Sequence, residues 1–189
     1  MTEDPTKIKL QTNIKKERDP TLLRMRGVTA HGFKEFDVPF ISHIEGNLWQ
    51  GGCDEEKLHL MLPQFFEHLI SLYPWEKYKV TIKDQLKTEA CFRMYDSLEQ
   101  SMEQVDVIAK LINIAKKDGP TLVHCQAGLN RSSLVAARSL MLDKENPRTA
   151  QQAIDLLRGS RSPACLCNKT FESWLFFVEQ LDIAQKAKE

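Results

Sequence analysis

In the stretch "VHCQAGLNRSS", Cys125, Gly128, Arg131 and Ser132 lie within eight consecutive residues. These are the residue types that phosphoryl chemistry uses. A thiolate is a strong nucleophile, and an arginine presents a planar fork of donors that matches two phosphoryl oxygens. A glycine lets the backbone curl so that successive N–H groups converge on an anion. The chain before the cysteine, "TLV", reads as a buried strand, and "LVAARSLM" after the arginine reads as an apolar helix. A strand that enters a helix through a short loop leaves the first N–H groups of the helix unpaired, at the positive end of its dipole. Such a junction suits a dianion. The same field stabilises a thiolate, so the loop that binds the anion is expected to activate Cys125 as well. The Gly-Lys-Ser/Thr ending of a nucleotide phosphate loop is missing.

The elements that must hold this loop are legible in outline. "VPFISHI", "NLWQGG" and "HLISLYP" read as short strands, and the apolar run "EACFRMY" (89–95) as a further buried one. Leu98, Met102, Val105, Ile108, Ile112 and Ala115 recur at helical spacing, with Ser97 and Gln100 as a capping box at the start. A helix over 132–143 is apolar on nearly every face and is expected to be buried. Thr149 with Gln152 caps another helix, and Phe171, Trp174, Leu175, Val178 and Leu181 form the stripe of a last one. Strands mixed with helices throughout imply an α/β sheet covered by helices. By composition, residues 1–26 read as a polar, flexible N-terminal arm and 27–189 as a single domain.

Bulk properties exclude several classes. Lys plus Arg equal Asp plus Glu at 26 each, so no global field draws the chain to nucleic acid or to an anionic membrane. No apolar segment approaches a membrane span, and the start does not resemble a signal peptide. Five cysteines, an odd number without framework spacing, point to free thiols and a cytoplasmic setting. The five histidines form no metal-ligand pattern, so neither a metal nor another cofactor is expected. Cys53 or Cys91 is a candidate to trap an oxidised Cys125, against the alternative that both are core residues.

The His-Cys-x5-Arg-Ser pattern of "HCQAGLNRSS" resembles the signature of the cysteine-dependent protein tyrosine phosphatases, in the form carried by dual-specificity phosphatases. "NLWQGG" and "LRGSRSPACLCNKTF" are similar to family segments, and the resemblance extends over about residues 36–182. It implies an α/β fold with a central, mainly parallel sheet of about five strands and helices on both faces. Cys125 would attack phosphorus, and the backbone of Gln126, Ala127, Gly128, Leu129 and Asn130 would cradle the phosphate with Arg131. Ser132 would hydrogen-bond the sulfur and help it leave, and His124 would orient the loop from behind. The family's general acid implies Asp96 in "RMYDSLEQ"; a helix-capping role is its alternative, and Asp84 in "TIKDQ" its competitor. Arg158 and Arg161 match a basic pair at the pocket rim, or else serve as helix-end charges. Asn168 matches a residue supporting the loop, or else caps the last helix.

The implied activity is hydrolysis of phosphomonoesters on phosphotyrosine proteins, extending to phosphoserine and phosphothreonine, through a phosphocysteine. Phosphate and other oxyanions would bind as product or inhibitor. Alternatives are an RNA 5′-phosphatase or a lipid phosphatase using the same loop, or a phosphoprotein-binding module without turnover. The loop lacks the lysines associated with phosphoinositide phosphatases. The tryptophan-proline-aspartate motif of the larger tyrosine-specific enzymes is absent, and residues 73–90 have no family counterpart.

Overall fold

The computed structural model describes residues 38–53, 64–73, 85–97 and 99–188. The arm expected over 1–26, the domain start at 27, Leu98 and Asp84 lie outside these residues. Two short strands, β1 (Ile41–Glu45) and β2 (Leu48–Gly51), pair antiparallel around a tight turn in which Gly46 has φ +51°. Three more follow: β3 (His68–Ser71), β4 (Thr88–Cys91) and β5 (Thr121–His124). The sheet order is β1-β2-β5-β3-β4, and every pairing except β1–β2 is parallel. β3 and β5 are buried at every position, the polar end residues His68, Ser71, Thr121 and His124 included, as interior parallel strands must be.

The fourth strand is shorter than its sequence suggests. Only Thr88–Cys91 pairs, as an edge strand with Cys91 exposed, and 92–95 leave the sheet. Its one neighbour, β3, ends at Ser71, whose carbonyl accepts a last hydrogen bond from the Phe92 N–H. Without a partner, an apolar run has no ladder to extend.

Four helices occur among the described residues. In α1 (Met102–Asp118) the cap is Ser101, whose side chain accepts from the Gln104 N–H, so the expected Ser97–Gln100 box does not form. The Gln100 side chain is instead drawn to the Tyr95 N–H, the Ser101 carbonyl and Gln104. In α2 (Arg131–Met141) every residue from 132 to 141 is buried, as expected. α3 (Ala150–Ser160) starts with the reciprocal Thr149–Gln152 box. α4 (Lys169–Lys186) buries Phe171, Leu175 and Val178, while Leu181 at the end of the stripe is exposed. α2 packs against α1, α3 and α4, and α1, α2 and α3 also pack against strands of the sheet. Because β2, β5, β3 and β4 run in the same direction, their C-terminal ends open on one edge. The Cys125 loop lies there.

Candidate active site

The loop leaves β5 at His124 and enters α2 at Arg131. Its curvature is held from behind, one carbonyl at a time. The Cys53 N–H donates to the Gln126 carbonyl (2.9 Å), and Arg161 Nη2 to Ala127 (3.2 Å). Arg161 Nε (2.5 Å) and Gln50 Nε2 (3.0 Å) both donate to Gly128, and the Leu166 N–H to Leu129 (2.8 Å). In a planar trans peptide the N–H points opposite to the C=O. Four carbonyls fixed backward therefore turn the N–H groups of 127 to 130 toward the concave side. One of them, Gly128 N–H, already donates to Cys125 Sγ at 3.2 Å. Gly128 has φ +71°, and a Cβ there would lie 2.4 Å from Arg161 Nη2 and from the Gly51 carbonyl oxygen. Only glycine fits.

The other loop contacts complete an anion cradle around a nearly buried thiol. Cys125 is 2% exposed, and Ser132 Oγ lies 3.4 Å from its sulfur. Asn130 precedes α2 without a side-chain cap, and no acid occupies the first turn. The positive end of the helix is thus open to a ligand. Arg131 Nη1 lies 3.4 Å from the carbonyls of Leu72 and Met94, just beyond β3 and β4, and its guanidinium packs 5.6 Å from the Tyr73 ring. Its Nε is buried without a hydrogen-bond partner.

Asp96 is joined to this loop. Its carboxylate accepts from Asn130 Nδ2 (3.0 Å) and from Asn168 Nδ2 (2.9 Å). The Asn130 Oδ1 in turn accepts from the Asn168 N–H (3.0 Å) and the Cys167 thiol (3.1 Å). Asn168 also caps α4 through the Thr170 N–H, so both contacts expected of it are present. Asp96 does not cap α1. The basic pair, however, does not form a rim. Arg158 binds Glu172 and the Cys165 carbonyl, and Arg161 is buried against loop carbonyls and Ser42. Both face the protein rather than a substrate. Burial pushes the Arg161 guanidinium down from its ordinary range, against the opposing pull of Cys165 and Cys125.

His124 is fully enclosed behind the loop. Burial pushes its pKa down from 6.5 to about 4, against a hydrogen bond with the Cys125 backbone and with help from the Arg131 charge. It is neutral at neutral pH. None of the five cysteines is joined in a disulfide. One potential metal-ligand group does occur, contrary to the sequence reading: Glu67, His68 and Asp118 bring one ligand atom each within 4.8 Å of one another. Lys87 already pairs with its two carboxylates, 2.5 Å from Glu67 and 3.2 Å from Asp118. The group sits at the opposite ends of the parallel strands from Cys125.

Gln50 is the loop contact that sequence reasoning missed. It is wholly buried, and its Nε2 reaches Gly128, Ser132 and Ser133. The available signal was a lone amide inside the strand-like "LWQGG".

A parallel α/β sheet with an anion-binding, cysteine-bearing loop at its C-terminal edge defines the class of cysteine-dependent phosphatases. The model of the dual specificity phosphatase catalytic domain matches residues 48–180, and the chain belongs to that family. Among solved structures, a mouse chain described as a dual specificity phosphatase and complexed with zinc tungstate is 18% identical, with a TM-score of 0.63. The match covers 82% of this chain and 96% of that one. Human DUSP28 is also 18% identical, with a TM-score of 0.60 and coverage of 76% and 95%. The human tyrosine phosphatase-like serine/threonine/tyrosine-interacting protein is 17% identical, with a TM-score of 0.57 and coverage of 76% and 97%. At these identities the likeness is one of fold. No curated protein sequence matches the chain. No helix among the described residues is long and apolar enough to cross a membrane.

Proposed function

We propose that this phosphatase-family chain hydrolyses phosphotyrosine, and also phosphoserine and phosphothreonine, in proteins through a phosphocysteine at Cys125. The Cys125 thiolate attacks phosphorus while Asp96 gives its proton to the leaving ester oxygen, so that the P–O bond breaks as the S–P bond forms. The loop N–H groups and the Arg131 fork hold the three remaining oxygens, where charge accumulates in the transition state. Water then attacks phosphorus, and Asp96 takes the water proton. The S–P bond breaks with its electron pair on sulfur, and Ser132 donates a hydrogen bond to it as phosphate departs.

One observation carries this reading: Asp96 is hydrogen-bonded to Asn130 of the same loop that holds Cys125. Acid and nucleophile belong to one connected unit, which a pure binding module does not need. The interacting protein of the same fold is the reason to weigh that alternative. The substrate class rests on charge. Gln126, Ala127, Leu129 and Asn130 bring no cation to the loop, and Arg158 and Arg161 are engaged elsewhere. Among the described residues, the loop itself therefore offers no second charged subsite to a substrate with several phosphates, such as an inositol lipid or a 5′-triphosphate RNA. Cysteines without disulfides support a reducing, cytoplasmic setting.

The test is turnover across phosphotyrosine, phosphoserine and phosphothreonine peptides, phosphoinositides and 5′-triphosphate RNA. Peptide hydrolysis is expected to dominate, and turnover confined to lipid or RNA would overturn the substrate assignment. Cys125→Ser, which replaces the thiolate by a protonated hydroxyl, is expected to abolish turnover and keep phosphate binding. More than trace hydrolysis by that variant would end the phosphocysteine reading.

A further inference from the structure

We propose that Gln50 is a positioning residue for the second chemical step, turning the Ser132 hydroxyl onto the Cys125 sulfur. The proposal rests on the two-step reading above.

Gln50 is the third residue of β2 and stands opposite Val123 of β5, directly beneath the loop. Its orientation is unambiguous, because the Gly128 carbonyl 3.0 Å away can only accept, so the NH2 end must face the loop. The cost of this arrangement is visible. Gln50 Oε1 is buried with no hydrogen-bond partner. An aliphatic side chain would fill the same space in an apolar strand without leaving a buried acceptor unpaired. What distinguishes the amide is its two N–H donors, which are shared among three acceptors: the Gly128 carbonyl, Ser132 Oγ at 3.0 Å and Ser133 Oγ at 2.7 Å.

A helical serine that bonds the backbone directs its proton to a carbonyl three or four residues back. For Ser132 these are Leu129, whose carbonyl accepts from the Leu166 N–H, and Gly128, whose carbonyl already accepts from Gln50 and from Arg161. Gln50 also donates to Ser132 Oγ itself. With one lone pair engaged and the nearby carbonyls taken, the single hydroxyl proton is left to Cys125 Sγ, 3.4 Å away.

The two steps feel this hydrogen bond differently. In the first, sulfur is the attacking atom, and a donor to it does not assist. In the second, the S–P bond breaks and sulfur keeps the electron pair, while the water proton passes to Asp96. Charge then develops on the atom that the Ser132 hydroxyl faces. Loss of Gln50 should therefore slow hydrolysis of the phosphocysteine and spare its formation.

Rapid-quench kinetics with an aryl phosphate test this. Gln50→Leu is expected to lower kcat roughly 3- to 10-fold, the effect of one hydrogen bond. KM should fall in parallel, kcat/KM should hold, and acid-trapped phosphoenzyme should rise at steady state. Ser132→Ala should give the same signature, and the double variant should be no worse than Ser132→Ala alone. If Gln50→Leu is poorly folded, Gln50→Met serves instead, with thermal unfolding measured for both. Equal loss of kcat and kcat/KM without phosphoenzyme accumulation would make Gln50 merely structural. So would a further loss in the Ser132→Ala background. If Ser132→Ala itself accumulates no phosphoenzyme, the two-step reading fails and the proposal falls with it.

Discussion

Gly128 and Asp96 show how much a single residue can decide at this site. At Gly128 the constraint is steric: φ is +71°, and a methyl group would meet Arg161 and the Gly51 carbonyl. Gly128→Ala is expected to rotate the peptide whose N–H reaches Cys125 and to lower kcat/KM by roughly 10²-fold, the loss of a preorganised donor. An unchanged rate would mean that the loop does not need its backward-facing carbonyls. At Asp96 the constraint is chemical. Asp96→Asn is expected to cost roughly 10²- to 10⁴-fold on a phosphopeptide, whose leaving oxygen needs a proton. The first step with an activated aryl phosphate should suffer far less. Asn130→Ala should share this leaving-group dependence, because Asn130 holds Asp96, and should add little once Asp96 is already Asn. Equal losses on both substrates would remove Asp96 from the acid role. Cys125 and Arg131 were legible in the sequence because the loop is contiguous. Gln50 and the inward turn of Arg161 were not, because their partners belong to distant segments brought together only by the sheet.

Between elements, local signals were legible to the extent that nothing distant competed with them. The Thr149–Gln152 box closes within its own turn and was readable from four residues. The start of α1 was not, because Ser97 and Ser101 both qualify and the choice follows from where the Gln100 side chain finds its partners. The same holds for Arg138, an unremarkable charge in sequence that joins three helices in the fold. From α2 it binds Asp106 on α1 (2.7 Å) and Asp182 on α4 (2.5 Å), and its guanidinium lies 5.9 Å from the Trp174 ring. Burial pushes its pKa down, but Asp182 and Asp106 outweigh this and hold it above the ordinary range. Arg138→Leu leaves two carboxylates without a cation. Both are about a third exposed, so the expected loss is about 2–3 kcal/mol, less than for a wholly buried pair. Thermal unfolding should show a Tm lower by roughly 5–10 °C. The kcat/KM of the folded fraction should be unchanged, since Arg138 touches no loop residue among its observed partners. A Tm within a degree of the parent would show that the three-helix clamp contributes little.

For the molecule as a whole, the consequential group is His124, because the sheet and the loop enclose it completely. Its pKa is about 4 in the folded chain against an ordinary 6.5, chiefly through burial. Above pH 6.5 the imidazole is neutral in both folded and unfolded chains, so it adds no pH dependence. Between 6.5 and about 4 the unfolded chain binds a proton that the folded chain refuses, so stability falls as pH falls. Below about 4 both states are protonated and this contribution levels off. The interval corresponds to about 3 kcal/mol at roughly 1.4 kcal/mol per pH unit. Asp143 and Glu172 act in a separate window. Burial pushes each carboxyl up, but Lys116 for Asp143 and Arg158 for Glu172 hold it below the ordinary range, so their stabilisation is lost only as pH falls through that range. Urea unfolding of the whole chain at about pH 7, 6 and 5.5 should therefore show a progressive loss before the carboxylates titrate. In His124→Gln the loss over that span should largely disappear, because the imidazole that burial keeps neutral in the folded chain is gone. A slope as steep in His124→Gln as in the parent would locate the acid sensitivity elsewhere and show that His124 accepts its proton without unfolding the chain.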